Sequence, residues 1–261
     1  MPILTLPSQL VNDAESTLAL TVTDLRSAVG HYLGYTRDAA RWSARAILDI
    51  DKAVSDGLRR FYFSHNWWFL KPVATLTVTS GTSAYDLPGD FGGLEGKLTF
   101  EPDKTWSAVC SVPFQMIRDY RQRGQFSAPP TRAAIVPKSG TPGPYGQRSR
   151  IELWPTPDAT YQLTYRYHIL PGALTPLNPY PYGGVEHAET IQAACIACAE
   201  RSMNDTAGEK QQYFAERFAA SVQQDAQRFS PESFGSLDDP HGSDYGYDPH
   251  RLSTTSYVGV P

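Results

Sequence analysis

The hydrophobic period of this chain switches twice, and that double switch constrains its fold more than any single motif. Apolar residues recur at helical spacing at Ala40, Ile47, Ile50, Val54, Leu58 and Phe61. Helical spacing returns at Ala188, Ile191, Cys195 and Cys198, and again at Phe214, Phe218, Val222 and Ala226. Between these regions the pattern alternates and β-branched residues dominate, with Gly and Pro clusters as breaks. Strands are predicted at Val73–Thr79, Leu94–Phe100, Trp106–Val112, Arg132–Val136, Ile151–Trp154 and Tyr161–Ile169, with a short helix at Pro113–Gln122. Two helical regions that flank a β-region fit together most simply as one bundle. The expected class is α+β: a helical bundle with an inserted antiparallel β-domain, a sandwich or barrel, and extended terminal arms.

Local signals set the expected boundaries. Residues 1–22 lack helical periodicity and read as an arm. Thr23 is a plausible N-cap with Asp24 in the first turn, and Gly34 closes that helix. Thr36 and Asp38 open a long helix to about His65, in which Ser43 fills a small slot. Thr206 and Glu209 have capping-box spacing and start the last helix. The bundle is assigned to 23–70 and 185–228, the β-domain to 71–184, and an extended tail to 229–261.

Charge distribution excludes some functions. The 261 residues carry a net charge of −4, and the segment after Arg228 holds five acids against one base. The first 228 residues therefore have equal numbers of each sign, which argues against a nucleic-acid binder held by basic patches. No apolar run of membrane-spanning length occurs, and Met1–Leu10 lacks the basic start of a signal peptide. Three cysteines do not make a disulfide framework and fit a reducing compartment. The tail is rich in Gly, Ser, Asp, Pro and Tyr and cannot bury enough apolar surface to fold alone.

Each chemical motif has a bland reading that outweighs it. Cys195-Ile-Ala-Cys198 lacks the second ligand pair that zinc needs, and it lies mid-helix on the apolar stripe, so both thiols are expected in the core. Gly81-Thr82-Ser83-Ala84-Tyr85 misses the nucleophile elbow at its last position and reads as a turn. His241, Asp244, Asp248 and His250 are expected to be solvated rather than to hold a cation. Arg118, Arg121 and Arg123 read as a solvated helix face. Trp67, Trp68 and Phe69 are either a sugar-stacking platform or, as favoured, a packed seal between bundle and β-domain. No catalytic constellation, cofactor site or metal site emerges. The tail's irregularly spaced Phe234, Tyr245, Tyr247 and Tyr257 are the candidate partner-binding residues, as single aromatic anchors on a polar arm.

A resemblance adds to this. Trp68-Phe69-Leu70 ends a long amphipathic helix before a Thr/Val-rich strand; Tyr85-Asp86-Leu87-Pro88-Gly89-Asp90-Phe91 follows, then Pro129-Pro130-Thr131. Next come Ile151-Glu152-Leu153-Trp154-Pro155-Thr156-Pro157-Asp158, then Tyr161, Tyr165 and Tyr167, and two closing helices around Asn204-Asp205. This order resembles the head-to-tail adaptor proteins of tailed bacteriophages, the tail tubular protein A group, over roughly residues 20–228. The resemblance implies a non-enzymatic virion protein, assembled in the bacterial cytoplasm. It implies a homo-oligomeric ring of twelve beneath the portal protein that extends the DNA channel and receives a downstream tail or nozzle protein. DNA would pass without sequence-specific binding, and no membrane is involved. The rival expectation is a glycan-binding module of a tail appendage.

Overall fold

The computed structural model describes residues 16, 18–102, 104–124, 126–138, 148–204, 206 and 208–228. The tail after 228, with its four aromatic anchors and the His241/Asp244/Asp248/His250 group, lies outside the described residues, as do residues 1–15. The α+β class is borne out: residues up to Arg228 form one compact unit with five α-helices and two sheets among the described residues.

The first helix, α1 (Val22–Tyr32), starts two residues before the sequence reading placed it. Thr21 rather than Thr23 is the N-cap, because Asp24 then stands three residues on and closes a reciprocal box. Thr21 N–H donates to Asp24 Oδ2 at 2.9 Å and Asp24 N–H to Thr21 Oγ1 at 3.3 Å. Gly34, at φ +82°, follows the helix end as expected.

The long helix expected from Thr36 is interrupted. Asp38 caps a 3₁₀ turn at Ala39–Arg41, Trp42 is extended, and α2 (Ala44–Phe63) begins only after Ser43. Ser43 is thus an N-cap accepting from Ala46 N–H at 3.2 Å, not a slot-filler, and Ala40 and Ile47 lie outside the buried face. That face runs instead through Ala46, Ile50, Ala53, Val54, Gly57, Leu58 and Phe61. It packs on α4 (Gly184–Asn204), with α1 alongside and α5 (Glu209–Arg228) behind.

Gly57 sets the spacing of that packing. A Cβ on it would stand 2.5 Å from Cys195 Cα and 2.6 Å from Cys195 N, so only glycine lets the two backbones approach this closely. Cys195 itself is fully buried, with Sγ 3.7 Å from Val54 O.

After Leu70 the chain forms strands β1 (Val73–Val78), β2 (Ala84–Asp86) and β3 (Phe91–Phe100). Strand β4 (Cys110–Ser111), helix α3 (Phe114–Arg123), β5 (Arg132–Pro137), β6 (Ser149–Trp154) and β7 (Tyr161–Ile169) follow. One sheet has the order β1-β7-β3 and the other β2-β6-β5-β4. Strand β7 alternates cleanly: Tyr161, Leu163, Tyr165, Tyr167 and Ile169 point inward while Gln162, Thr164, Arg166 and His168 face out. Ile151, Leu153 and Ala133 supply the facing layer from the second sheet.

Two details depart from the expected antiparallel domain. The Trp106–Val112 strand shrinks to Cys110–Ser111 plus a bridge between Val109 and Leu98, and β4 pairs parallel to β5. The other strand-to-strand pairings are antiparallel, and an isolated bridge between Ser127 and Thr156 is parallel.

Two substitutions test this packing. Gly57→Ala should destabilise by about 1–3 kcal/mol through overpacking, although alanine normally favours a helix over glycine; urea unfolding reads the sign. Trp67→Ala should cost about 3–5 kcal/mol and Trp68→Ala about 1 kcal/mol or less, since Trp67 is 0 % exposed and Trp68 41 %. Equal losses for the two would contradict the packing.

Candidate assembly surfaces

The residues singled out for chemistry prove structural, each for a traceable reason. At the helix-to-sheet junction, Trp67 packs into the bundle core and donates its indole N–H to Phe61 O at 3.0 Å. Its ring stacks on Phe61 at 4.5 Å and on Phe69 at 5.4 Å. A buried Trp67 cannot stack on a sugar, so the platform reading of this triplet fails. Trp68 departs from the expected seal in the other direction: its side chain is on the surface while its backbone N–H is held by Asp225 Oδ1 and Oδ2, both at 3.3 Å.

Asp225 is 5 % exposed, on the face of α5 where apolar spacing alone predicted Ala226. It also meets His65 Nε2 at 3.2 Å. Beside it His187, 2 % exposed, sits among the rings of Trp67 at 5.1 Å, Phe69 at 5.2 Å and Phe61 at 6.0 Å. Gly183, at φ +104°, turns the chain into α4 in a conformation that favours glycine, and a Cβ on it would stand 3.2 Å from Phe69 Cζ. Burial lowers the His187 pKa, and Arg228 and His65 push the same way; Asp225 and Glu186 oppose them.

The expected Thr206–Glu209 capping box does not form. Glu200, 6 % exposed on α4, caps α5 instead: its carboxylate accepts from Gly208 N–H at 3.2 Å, Lys210 N–H at 3.4 Å and Gln211 N–H at 3.2 Å. A carboxylate at a helix N-terminus satisfies orphan donors and complements the helix dipole. Thr206 donates instead to Asn204 O. Further along, Thr190 and Ser221 share a hydrogen bond at 2.6 Å, and Glu189 and Glu186 pair with Arg217 and Arg228.

The arginine cluster splits. Arg118 and Arg123 are exposed, as expected, but Arg121 reaches under α3 to Glu152 Oε2 at 2.5 Å. Glu152, 3 % exposed on β6, also meets Arg150 at 2.6 Å. Tyr120 stacks on Trp154 at 4.6 Å beside this pair, so α3 covers the outer face of the second sheet. The Gly81 segment is a turn at φ +78°, as expected.

In the C-x-x-C, Cys195 is buried core as expected, and burial drives its thiol pKa far up. Cys198 is half-buried at the seam with α2, its pKa also raised by burial against the pull of Arg60. Neither thiol is poised as a nucleophile. Among the described residues no three His, Cys, Asp or Glu side chains gather closely enough to hold a metal. No described helix is long and apolar enough to cross a membrane.

What remains is surface. Two clefts flank α1 and share Arg37: one of about 430 Å³ against α4 and α5, and one of about 210 Å³ beside Trp42 and Ile47. Arg37 and Lys210 line the larger, whose Glu189 is already held by Tyr213 and Arg217. These are shallow, mixed walls without a nucleophile–base pair, suited to contact rather than catalysis.

The family model of the SU10 adaptor protein matches residues 20–236. The chain belongs to the SU10 adaptor protein family. The match takes in both helical regions and every described strand, so the whole described body is that of a structural phage adaptor. No curated protein matches the chain. For this SU10 adaptor family member, the buried carboxylates Glu152, Glu200 and Asp225 are the structural residues that sequence reasoning missed. Each is held by at least one partner well outside its own helical turn or strand: Arg121 for Glu152, the start of α5 for Glu200, and His65 with Trp68 for Asp225.

His187 yields a pH prediction. Burial makes the folded state bind this proton less readily than the unfolded chain, which protonates near pH 6.5. Below that pH the unfolded state binds the extra proton, so stability falls as pH drops. His187→Leu should flatten the fall in unfolding free energy as pH drops below about 6.5. An unchanged slope would place the proton elsewhere, for instance on His168, whose pKa is also lowered, first by burial.

Proposed function

We propose that this phage adaptor works at the head–tail junction as a ring subunit beneath the portal, in the manner of tail tubular protein A. It extends the DNA channel and receives the next tail or nozzle component. Membership of the adaptor family over residues 20–236 is the observation that carries this reading. The equal numbers of acids and bases in the first 228 residues support it, because such a wall offers few cations to displace DNA counterions. The proposed stoichiometry is twelve, with no enzymatic role.

The C-terminal tail is the proposed partner-binding arm. Phe234, Tyr245, Tyr247 and Tyr257 anchor it on neighbouring subunits or an adjoining virion protein, and its five acids steer it toward basic surface. Native mass spectrometry of the chain mixed with its portal protein should show one large closed assembly. Separate components at micromolar concentration would overturn the reading. Replacing the four tail aromatics by serine should leave the melting temperature unchanged and weaken assembly by about tenfold or more.

A further inference from the structure

Strand β1 has an open edge of unusual character. Tyr167 N–H donates to Pro72 O at 3.2 Å, and the β1–β7 register places Val73 opposite Arg166. Antiparallel pairs alternate, so Ala74, Leu76 and Val78 bond to β7 while the N–H and C=O groups of Val73, Thr75 and Thr77 point away from it. The next residue in that series, Thr79, is closed off: the Tyr85 hydroxyl accepts from its N–H at 2.7 Å and lies 3.0 Å from its carbonyl. Val73, Thr75 and Thr77 have no such partner among the described residues, and all three side chains are exposed.

The other sheet edges are blunted. Strand β3 carries two register breaks, Glu95 and Lys97; β2 is three residues long with Asp86 paired to Lys138; β4 is two residues long. Bulges, charges and shortness are the usual defences against strand addition. Strand β1, Val-Ala-Thr-Leu-Thr-Val, has none of them.

We propose that this edge is filled by the N-terminal arm of a neighbouring copy, Ile3-Leu4-Thr5-Leu6, added as an extra strand. The inference rests on the assembly reading above. Residues 1–12 contain no charged side chain, matching an uncharged edge. Pro2 and Pro7 bracket four residues that can donate, about the span that Val73–Thr77 offers, and stop pairing from running on at either end. Arm and edge are different surfaces of one chain, so a contact passed from copy to copy is heterologous, the type that builds a ring when its rotation closes. Main-chain bonds would supply the affinity and the exposed Val73 the apolar contact.

Hydrogen exchange on the full-length chain, dilute and alone against assembled with the portal, tests this. The Thr75 and Thr77 amides should exchange about tenfold or more slowly in the assembly. Leu4→Pro and Thr75→Pro should each abolish that protection; Thr75 N–H has no partner among the described residues, so proline there should leave the melting temperature unchanged. Thr75→Val, which keeps the donor, should behave as wild type. Mixing Leu4→Pro with Thr75→Pro should restore one arm–edge contact and protect Thr77 in the former.

Protection in the dilute monomer would mean the arm pairs within its own copy, and would overturn the proposal. Open edge amides in a complete assembly would overturn it and leave the adaptor reading standing. Absence of any assembly, with the edge open throughout, would overturn both.

Discussion

The contact of α2 with α4 at Gly57 and Cys195 holds the remaining architecture in place. These helices lie more than a hundred residues apart in sequence, so their contact brings the chain's two helical regions together. Its closeness comes from small residues: Gly57 and Ala53 on one side, Ala194 and Cys195 on the other. Close backbone approach brings more atoms within dispersion range and leaves no room for a cavity. It also dictates what the intervening chain must do. The segment that leaves after Leu70 has to return at Gly184, and Trp67, Phe69 and His187 pack where those two ends meet.

Once the helices are fixed, buried carboxylates position the rest. Glu200 holds the start of α5, and Asp225, near its end, holds the 3₁₀ turn that leads into β1. Glu152 ties α3 to β6 through Arg121. A buried acid with several donors is costly to misplace, because leaving it unpaired forfeits its solvation without compensation. These three acids therefore specify geometry more than they add stability. The tie through Asp225 links the end of the last helix to the entry of the first strand.

This division explains what the sequence discloses. Periodicity made the helices and most strands legible, because it records which faces avoid water: β7 falls exactly where alternation put it, and α4 shows its stripe at Ala188, Ile191 and Cys195. It failed where a short-range polar choice competes with the pattern. Ser43 looked like a small residue on a helix face and is a cap; Thr206–Glu209 has the right spacing but loses to Glu200, whose partners begin eight residues away. Trp67 and Trp68 are indistinguishable by type, and only the 3₁₀ turn decides which ring goes inside. Arg121 was misread for the opposite reason: its partner Glu152 is thirty-one residues distant, so no local pattern could show the pair.

The two arms differ in chemistry, and under the proposed assembly that difference keeps them apart. An uncharged strand segment bracketed by prolines needs an open backbone edge and gains little from a cationic cleft. An acidic segment with isolated aromatics needs pockets and cations, and its Asp, Gly and Pro content disfavours strand pairing. Each arm is therefore poorly matched to the other's site, which is specificity through mismatch as well as fit. A body with balanced charge suits this arrangement. Its own surface does not attract the acidic arm indiscriminately, so the clefts that gather cations, such as the one lined by Arg37 and Lys210, stand out against a neutral background.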